Sequence, residues 1–496
     1  MNQRASGILL HLTSVSNPYS IGDLGRGAIE FVDFLYESGQ RWWQMLPIGP
    51  TGQDDSPYQS MSAFGGNPLL VSPDRLVEQG FLDKSDIEFY VPSSNGQVNY
   101  LAAQGFRLRL LRKAFENFEK NKNVDRESRL DNFMREEAYW LEDFSLFLAI
   151  QEKEGTSDWT QWDQELRARR PEVIIRAQKY FADDMRYHKF VQWQFSVQFK
   201  GLKDYCTSKA VKLIGDVPHF VSHQSADVWA HPGLFKLDAD GKPTVVAGVP
   251  PDYFSKTGQV WGAPVYRWEA LGRQNYSWWI QRLRMAFGRF DFNRLDHFIG
   301  FDHFYEIPVQ AKTAVNGQYQ PGPGASFFEA VYKDLGPILL IADDLGVRTP
   351  EVVALMDQFQ IPGTQVLQFQ FGSDLETNFV TSKQHLVNSV VYTATHDNDT
   401  TEGWYQHLPS SQRDALQRKL GVNSQGIVWA MIREAFASEA NTVIIPAQDL
   451  LGLGSGERMN FPGTVKGNWR WRLKDGALSK ELTLKLRSIT QSSGRL

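Results

Sequence analysis

Four apolar runs in this chain each close on an aspartate: residues 211–216 (VKLIGD), 290–296 (FDFNRLD), 337–343 (PILLIAD) and 389–397 (SVVYTATHD). Carboxyl groups in pairs are what glycoside chemistry needs, one donating a proton while the other attacks or activates water. A third can orient sugar hydroxyls and stabilise positive charge on the ring. Asp296, Asp343 and Asp397 are candidates for these three parts. Arg294 precedes Asp296 by two residues, so in a strand both side chains leave the same face. A neighbouring guanidinium favours the ionised aspartate that a nucleophile must be. His297 falls on the opposite face of a regular strand. Residues 395–401 (THDNDTT) gather a histidine, two aspartates and an asparagine into one loop. That set suits sugar-hydroxyl recognition and metal ligation equally, so a divalent-metal hydrolase is the rival reading of the carboxylates. Helix capping is the non-chemical alternative for any one of them.

The runs have the length and aliphatic or β-branched content of buried strands, and polar segments able to hold helices separate them. A (β/α)8 barrel meets this pattern, because its catalytic residues sit at the C-terminal ends of several strands. The expected class is therefore α/β. At 496 residues the chain exceeds the roughly 250 of a bare barrel, so helical and loop insertions are expected. Residues 7–12 and 41–48 read as early strands with a helix over 27–39 between them. Residues 49–68, rich in Gly, Pro, Asp and Ser, read as a long substrate loop. From about residue 73 to 187 charged segments carry apolar residues at helical spacing. This divides the chain into residues 1–72 (first part of the barrel), 73–187 (helical insertion) and 188–496 (remainder of the barrel). Later helices are expected over 187–209, 276–288, 350–359 and 425–437. Strands are expected over 365–371 (QVLQFQF) and 442–449 (TVIIPAQD), the latter again ending on an aspartate, with a surface tail over the last twenty or so residues.

A net charge of −5 without a basic face argues against nucleic acid as a partner. Cys206 is the sole cysteine, which excludes an internal disulfide and a cysteine-rich metal site. The short apolar run at the N-terminus and the lack of a long apolar stretch predict no signal peptide and no membrane partner, hence a cytoplasmic protein. The 15 Trp, 17 Tyr and 32 Phe suit a large core, and some are suited to stacking on sugar rings.

Longer motifs name a family. SGILLHLTS near the start, WWQMLPIGPTG (42–52), SPYQSMSAFGGNPLL (56–70), AGVPPDYFSKTGQVWG (247–262), RLDHF (294–298), THDNDTT and QDLLGLGSGERMNFPGT (448–464) occur in family order along nearly the whole chain. The chain resembles the 4-alpha-glucanotransferases of the amylomaltase or disproportionating-enzyme type. The resemblance implies a retaining double displacement with maltooligosaccharide or alpha-1,4-glucan as donor and acceptor, and no cofactor. It makes Asp296 the nucleophile, Asp343 the proton donor and later base, and Asp397 the third carboxylate. Arg294, His396, Asp216 and Asp374 match substrate-contacting positions, and Tyr58, Gln259 and Trp261 fall in loops that shape the donor and acceptor sites. Departures cluster at the same end. Asp343 stands where the family has glutamate, shorter by about 1.5 Å of reach, and a misplacement near 1 Å can cost roughly 100-fold in rate. Ile299 stands in place of the arginine of HFRGF and Ala263 in place of the asparagine of WGNP, and Leu12, His219, Ser222 and Gln224 also differ. A retaining alpha-glucan hydrolase and a non-catalytic glucan-binding relative are the alternatives these changes raise.

Overall fold

The computed structural model describes residues 4–52, 54–88, 96–251, 255–346, 348–372 and 387–496. Eight parallel strands form the barrel: β1 (Ala5–Leu9), β2 (Trp42–Gln44), β3 (Lys212–Val217), β6 (Phe292–Leu295), β9 (Leu340–Ala342), β10 (Gly363–Val366), β11 (Ser389–Tyr392) and β12 (Thr442–Pro446). Their order around the sheet is β10-β11-β12-β1-β2-β3-β6-β9. The seam between β9 and β10 is held by single bonds. Ala342 N donates to Pro362 O (2.8 Å), Thr364 Oγ1 to Ala342 O (2.9 Å) and Thr364 N to Asp344 Oδ1 (2.8 Å). Asp344, ion-paired with Arg348 at 2.5 Å, therefore closes the barrel. Nearly every strand residue is buried, as a parallel sheet covered on both faces requires.

The ladders are shorter than the apolar runs that encode them, and this places the aspartates. Asp216 is inside β3, Asp296 and Asp343 are each one residue beyond their strands, and Asp397 sits in the loop after β11. Two expected strands are corrected. Residues 363–366 are strand, but Leu367–Gly372 turn into a short helix, where buried Leu367 and Phe371 lie four apart on one face. Residues 442–446 are strand, and Asp449 lies on the helix Ala447–Leu450. There its carboxylate is buried and accepts from Thr393 Oγ1 (2.5 Å), Thr401 Oγ1 (2.6 Å) and Thr401 N (2.7 Å). It braces the loop around Asp397 instead of facing the barrel mouth.

A second sheet was not anticipated from the sequence. β4 (Val245–Val249), β5 (Gln259–Pro264), β7 (His303–Pro308) and β8 (Gln318–Pro321) pair antiparallel in the order β5-β4-β7-β8. The expected C-terminal tail is also corrected. Lys480–Ser492 is a helix whose Leu482, Leu486 and Ile489 recur at helical spacing against the core. Arg495, fully buried, donates from Nε to Phe436 O (3.0 Å) and from a terminal nitrogen to Ser438 O (2.9 Å). A segment whose composition reads as polar thus covers the end of the barrel where β1 and β12 begin.

Among the described residues, 73–208 hold seven α-helices, ending in the 27-residue helix Ala182–Ser208, which runs unbroken through position 187 towards β3. These helices do not build a core of their own. Leu110 and Phe118 share one apolar cluster with Leu46 and Phe190, and Phe144 and Phe147 share another with Val217 and Leu295. The buried pair of Arg107 and Asp23 ties the helix Tyr100–Lys120 to the loop after β1.

Candidate active site

Strand register creates the centre of the site. β3 and β6 pair with Asp216 directly opposite Arg294, both facing the barrel interior. One terminal nitrogen of Arg294 donates to both oxygens of Asp216 (2.8 and 2.7 Å) and to Asp296 Oδ1 (3.1 Å). The other terminal nitrogen lies 2.8 Å from Asp343 Oδ2. Arg294, a residue only 5% exposed, thus holds three carboxylates from three strands with one guanidinium. The planar fork of arginine is suited to this, whereas lysine is a point charge.

The count of charges has consequences. Burial, joined by the charges of Asp216, Asp343 and Asp397, pushes the Asp296 carboxyl well above the usual carboxylate range against the opposing pull of Arg294. Burial likewise raises Asp216, with Arg294 and His396 opposing it. Burial works against the Arg294 charge, yet Asp216 and Asp343 outweigh it and hold the guanidinium protonated.

Asp343 is fixed by its backbone N–H on Leu295 O (3.1 Å), and its Oδ2 accepts from His297 N (3.2 Å). Its Oδ1 is buried and takes no protein partner. The regular-strand placement of His297 is corrected here. β6 stops at Leu295, and His297 adopts left-handed backbone with φ of 48°, a conformation that costs a non-glycine residue of the order of 1 kcal/mol. That turn aims its N–H at Asp343 and sets its ring edge-on to Trp261, centroids 4.9 Å apart. Burial holds the imidazole down to about 4, so the ring is neutral at pH 7. Trp261 and Gln259 come from β5, with Trp261 Nε1 donating to Gln259 Oε1 (3.3 Å). The second sheet therefore carries both to the mouth of the barrel.

The opposite wall is a relay of polar groups. Tyr58 OH donates to Asp216 Oδ2 (2.8 Å) and lies 3.0 Å from His396 Nε2. The hydroxyl has one proton and gives it to Asp216, so His396 must donate from Nε2 to the tyrosine oxygen. The same nitrogen is 3.4 Å from Asp397 Oδ2. The other Asp397 oxygen accepts from Asn460 Nδ2 (2.6 Å), and Asp397 O accepts from Arg458 (2.9 Å). With its side chain 45% exposed, Asp397 faces solvent. Tyr58 stacks on His396 (5.4 Å, 14°) and also contacts Trp469 (5.8 Å). Behind them burial holds His11 down to about 3, with the His396 charge adding to the effect.

Tyr58, Asp216, Arg294, Asp296, Asp343, His396 and Asp397 thus meet in one network, and Gln259 and Trp261 reach it through His297. Asp374 lies outside the described residues. Sequence reasoning did not single out Asn460, Arg458 or Trp469. The first two stand within the 448–464 motif, but only the folded chain shows a loop some sixty residues downstream gripping Asp397. Among the described residues no three His, Cys, Asp or Glu side chains are grouped to hold a metal ion.

A family model described as 4-alpha-glucanotransferase matches residues 10–479. A 4-alpha-glucanotransferase of Thermus thermophilus is 43% identical over 500 residues, covering 99% of both chains. One from a Synechocystis species is 44% identical over 498 residues, covering 100% of this chain and 99% of its own. The solved amylomaltase of Streptococcus agalactiae in complex with acarbose is 36% identical with a TM-score of 0.95, covering 99% of this chain and 100% of its own. An amylomaltase structure from Corynebacterium glutamicum shares the fold at 17% identity, with a TM-score of 0.78 over 99% of this chain and 75% of its own.

Proposed function

The chain belongs to the 4-alpha-glucanotransferase family, and from that premise we propose that the carboxylates gathered on Arg294 are its catalytic centre. It is an enzyme that transfers alpha-1,4-glucan segments between maltooligosaccharides by retaining double displacement through a covalent glucosyl-enzyme. In our reading Asp296 attacks the anomeric carbon while Asp343 gives its proton to the departing glycosidic oxygen. The bond from Asp296 to the sugar then breaks as Asp343 takes the proton of an incoming acceptor hydroxyl. The observation that carries this is the shared guanidinium: Arg294 touches Asp296 and Asp343 at once. Asp343 Oδ2 is engaged by Arg294 and by His297 N, while its buried Oδ1 takes no protein partner. Asp397, oriented by Asn460 and His396 but still open to solvent, is placed to grip ring hydroxyls. Tyr58, Asp216, Gln259 and Trp261 shape the walls, and Asp374 keeps the substrate-contacting part that the family resemblance gives it. Transfer prevails over hydrolysis when an acceptor sugar is held against the intermediate better than water, and Trp261 and Tyr58 offer flat faces for that. The full-length relatives carry the transferase name, which sets the hydrolase and non-catalytic alternatives aside.

The assay is product analysis from maltotriose: a ladder of longer maltooligosaccharides plus glucose, with total reducing ends constant. In it Asp343→Asn loses on the order of 10^3-fold in rate, while Asp343→Glu stays within about tenfold of the parent. Unchanged transfer by Asp343→Asn would place the acid elsewhere. The pH profile has a defined sign. Asp296 must be ionised to attack, and its raised pKa means that it takes up a proton sooner on acidification. The acid limb of kcat/KM therefore falls away above the usual carboxylate value of about 4. A limb at or below that value would contradict the crowded carboxylates as its cause.

The division into residues 1–72, 73–187 and 188–496, with the middle part inserted into the barrel, is retained as a proposal. So is a cytoplasmic setting. Among the described residues no helix is long and apolar enough to cross a membrane.

A further inference from the structure

The loop that grips Asp397 also presents an aromatic face. Phe461 follows Asn460, whose amide holds Asp397, and its side chain belongs to a residue 43% exposed. The guanidinium of Arg458 sits 4.2 Å from the ring centroid. Arg458 is itself anchored, donating to Asp397 O (2.9 Å) and from Nε to Asn460 O (3.1 Å). The backbone around the ring is fixed as well. Phe461 N donates to Asn468 Oδ1 (3.0 Å), and Phe461 O accepts from Thr464 N (3.1 Å) and Thr464 Oγ1 (2.8 Å). An exposed phenylalanine is ordinarily a cost. Here the cation occupies one face and the loop leaves the ring partly open to solvent beside a carboxylate.

We propose that Phe461, backed by Arg458, is a stacking platform for a glucose unit adjoining the one held at Asp397, and that it sets the affinity for short glucans. The proposal rests on the reading of Asp397 as a sugar-gripping group. Pyranose rings carry an apolar face of C–H groups that lies flat on an aromatic ring, and the guanidinium below keeps that ring from turning. Because the platform is built before the sugar arrives, little ordering cost is left to binding. The ring touches no reacting atom, so it acts on binding and not on the chemical step.

The test is steady-state transfer from maltotriose by the full chain, with Phe461→Ala and Phe461→Trp measured beside the parent. Phe461→Ala raises KM by about tenfold with kcat within about twofold, the size of one lost apolar anchor. Phe461→Trp, which restores a flat face, returns KM to within about twofold of the parent. An unchanged KM in Phe461→Ala overturns the proposal. So does a KM rise that tryptophan does not restore, since that assigns the ring to loop packing. The site reading is checked in the same assay by Asp397→Asn. A parent-like KM and kcat in that variant would refute the reading itself, whatever the Phe461 variants show.

Discussion

Asp296→Asn abolishes glucan transfer, with kcat falling on the order of 10^5-fold, as removal of a covalent nucleophile does. Asparagine keeps the shape and an oxygen for Arg294, so the loss is chemical and not a collapse of the site. Stability moves the other way. The folded-state pKa of Asp296 is raised by burial and by three neighbouring carboxylates, so above the ordinary value the ionised form disfavours the native state. Stability contributed by this group is full at low pH and declines as pH rises through the window between its ordinary and raised values. The asparagine variant lacks that penalty and melts no lower than the parent at pH 7. The difference shrinks on acidification below about pH 4. Two measurements check this: the maltotriose ladder and thermal melts across pH. Transfer within tenfold of the parent would move the nucleophile to another residue. A clearly lower melting temperature at pH 7 would mean that Asp296 is held by favourable contacts that outweigh its crowding.

Arg294→Met has the second large effect, and it strikes folding and chemistry together. The substitution leaves Asp216, whose side chain is fully buried, and its two neighbours without their shared cation. Breaking a buried pair from one side costs about 3–5 kcal/mol. Transfer falls by roughly 10^4-fold, because one guanidinium supplies two preorganised donors, each worth about 10^2-fold. Arg294→Lys separates the parts. Its ammonium compensates charge and recovers part of the stability, but it lacks the fork that reaches Asp216, Asp296 and Asp343 together, so transfer remains low. Denaturant titration and the transfer assay read the two effects independently. An Arg294→Met protein as stable and active as the parent would show that the carboxylates are protonated or solvated in the resting enzyme and need no cation.

The strand-end aspartates and the barrel were legible because both are local. A buried parallel strand must be an unbroken apolar run, and a residue at its C-terminal end must face the mouth, so Asp216, Asp296 and Asp343 announce themselves by position. Where two structures satisfy one local pattern, the sequence was misleading. Leu367 and Phe371 alternate as a strand would, yet they also lie four apart as a helix requires, and packing selected the helix. Leu482, Leu486 and Ile489 were too sparse among charges to stand out, although that spacing is what seats the C-terminal helix on the barrel.

The motifs and their order along the chain determined the family and the barrel, and they supply the residues proposed to carry the chemistry. Tertiary structure alone decided how those residues act on one another. The β3–β6 register sets Asp216 against Arg294, and the end of β6 at Leu295 lets His297 turn its N–H onto Asp343. The loop bearing Asn460 and Phe461, which follows β12, packs against the Asp397 loop that follows the neighbouring β11. Residue type and spacing report which groups a strand end offers. The distances that set charge, proton position and reach depend on segments hundreds of residues apart, and only the packed core brings those together.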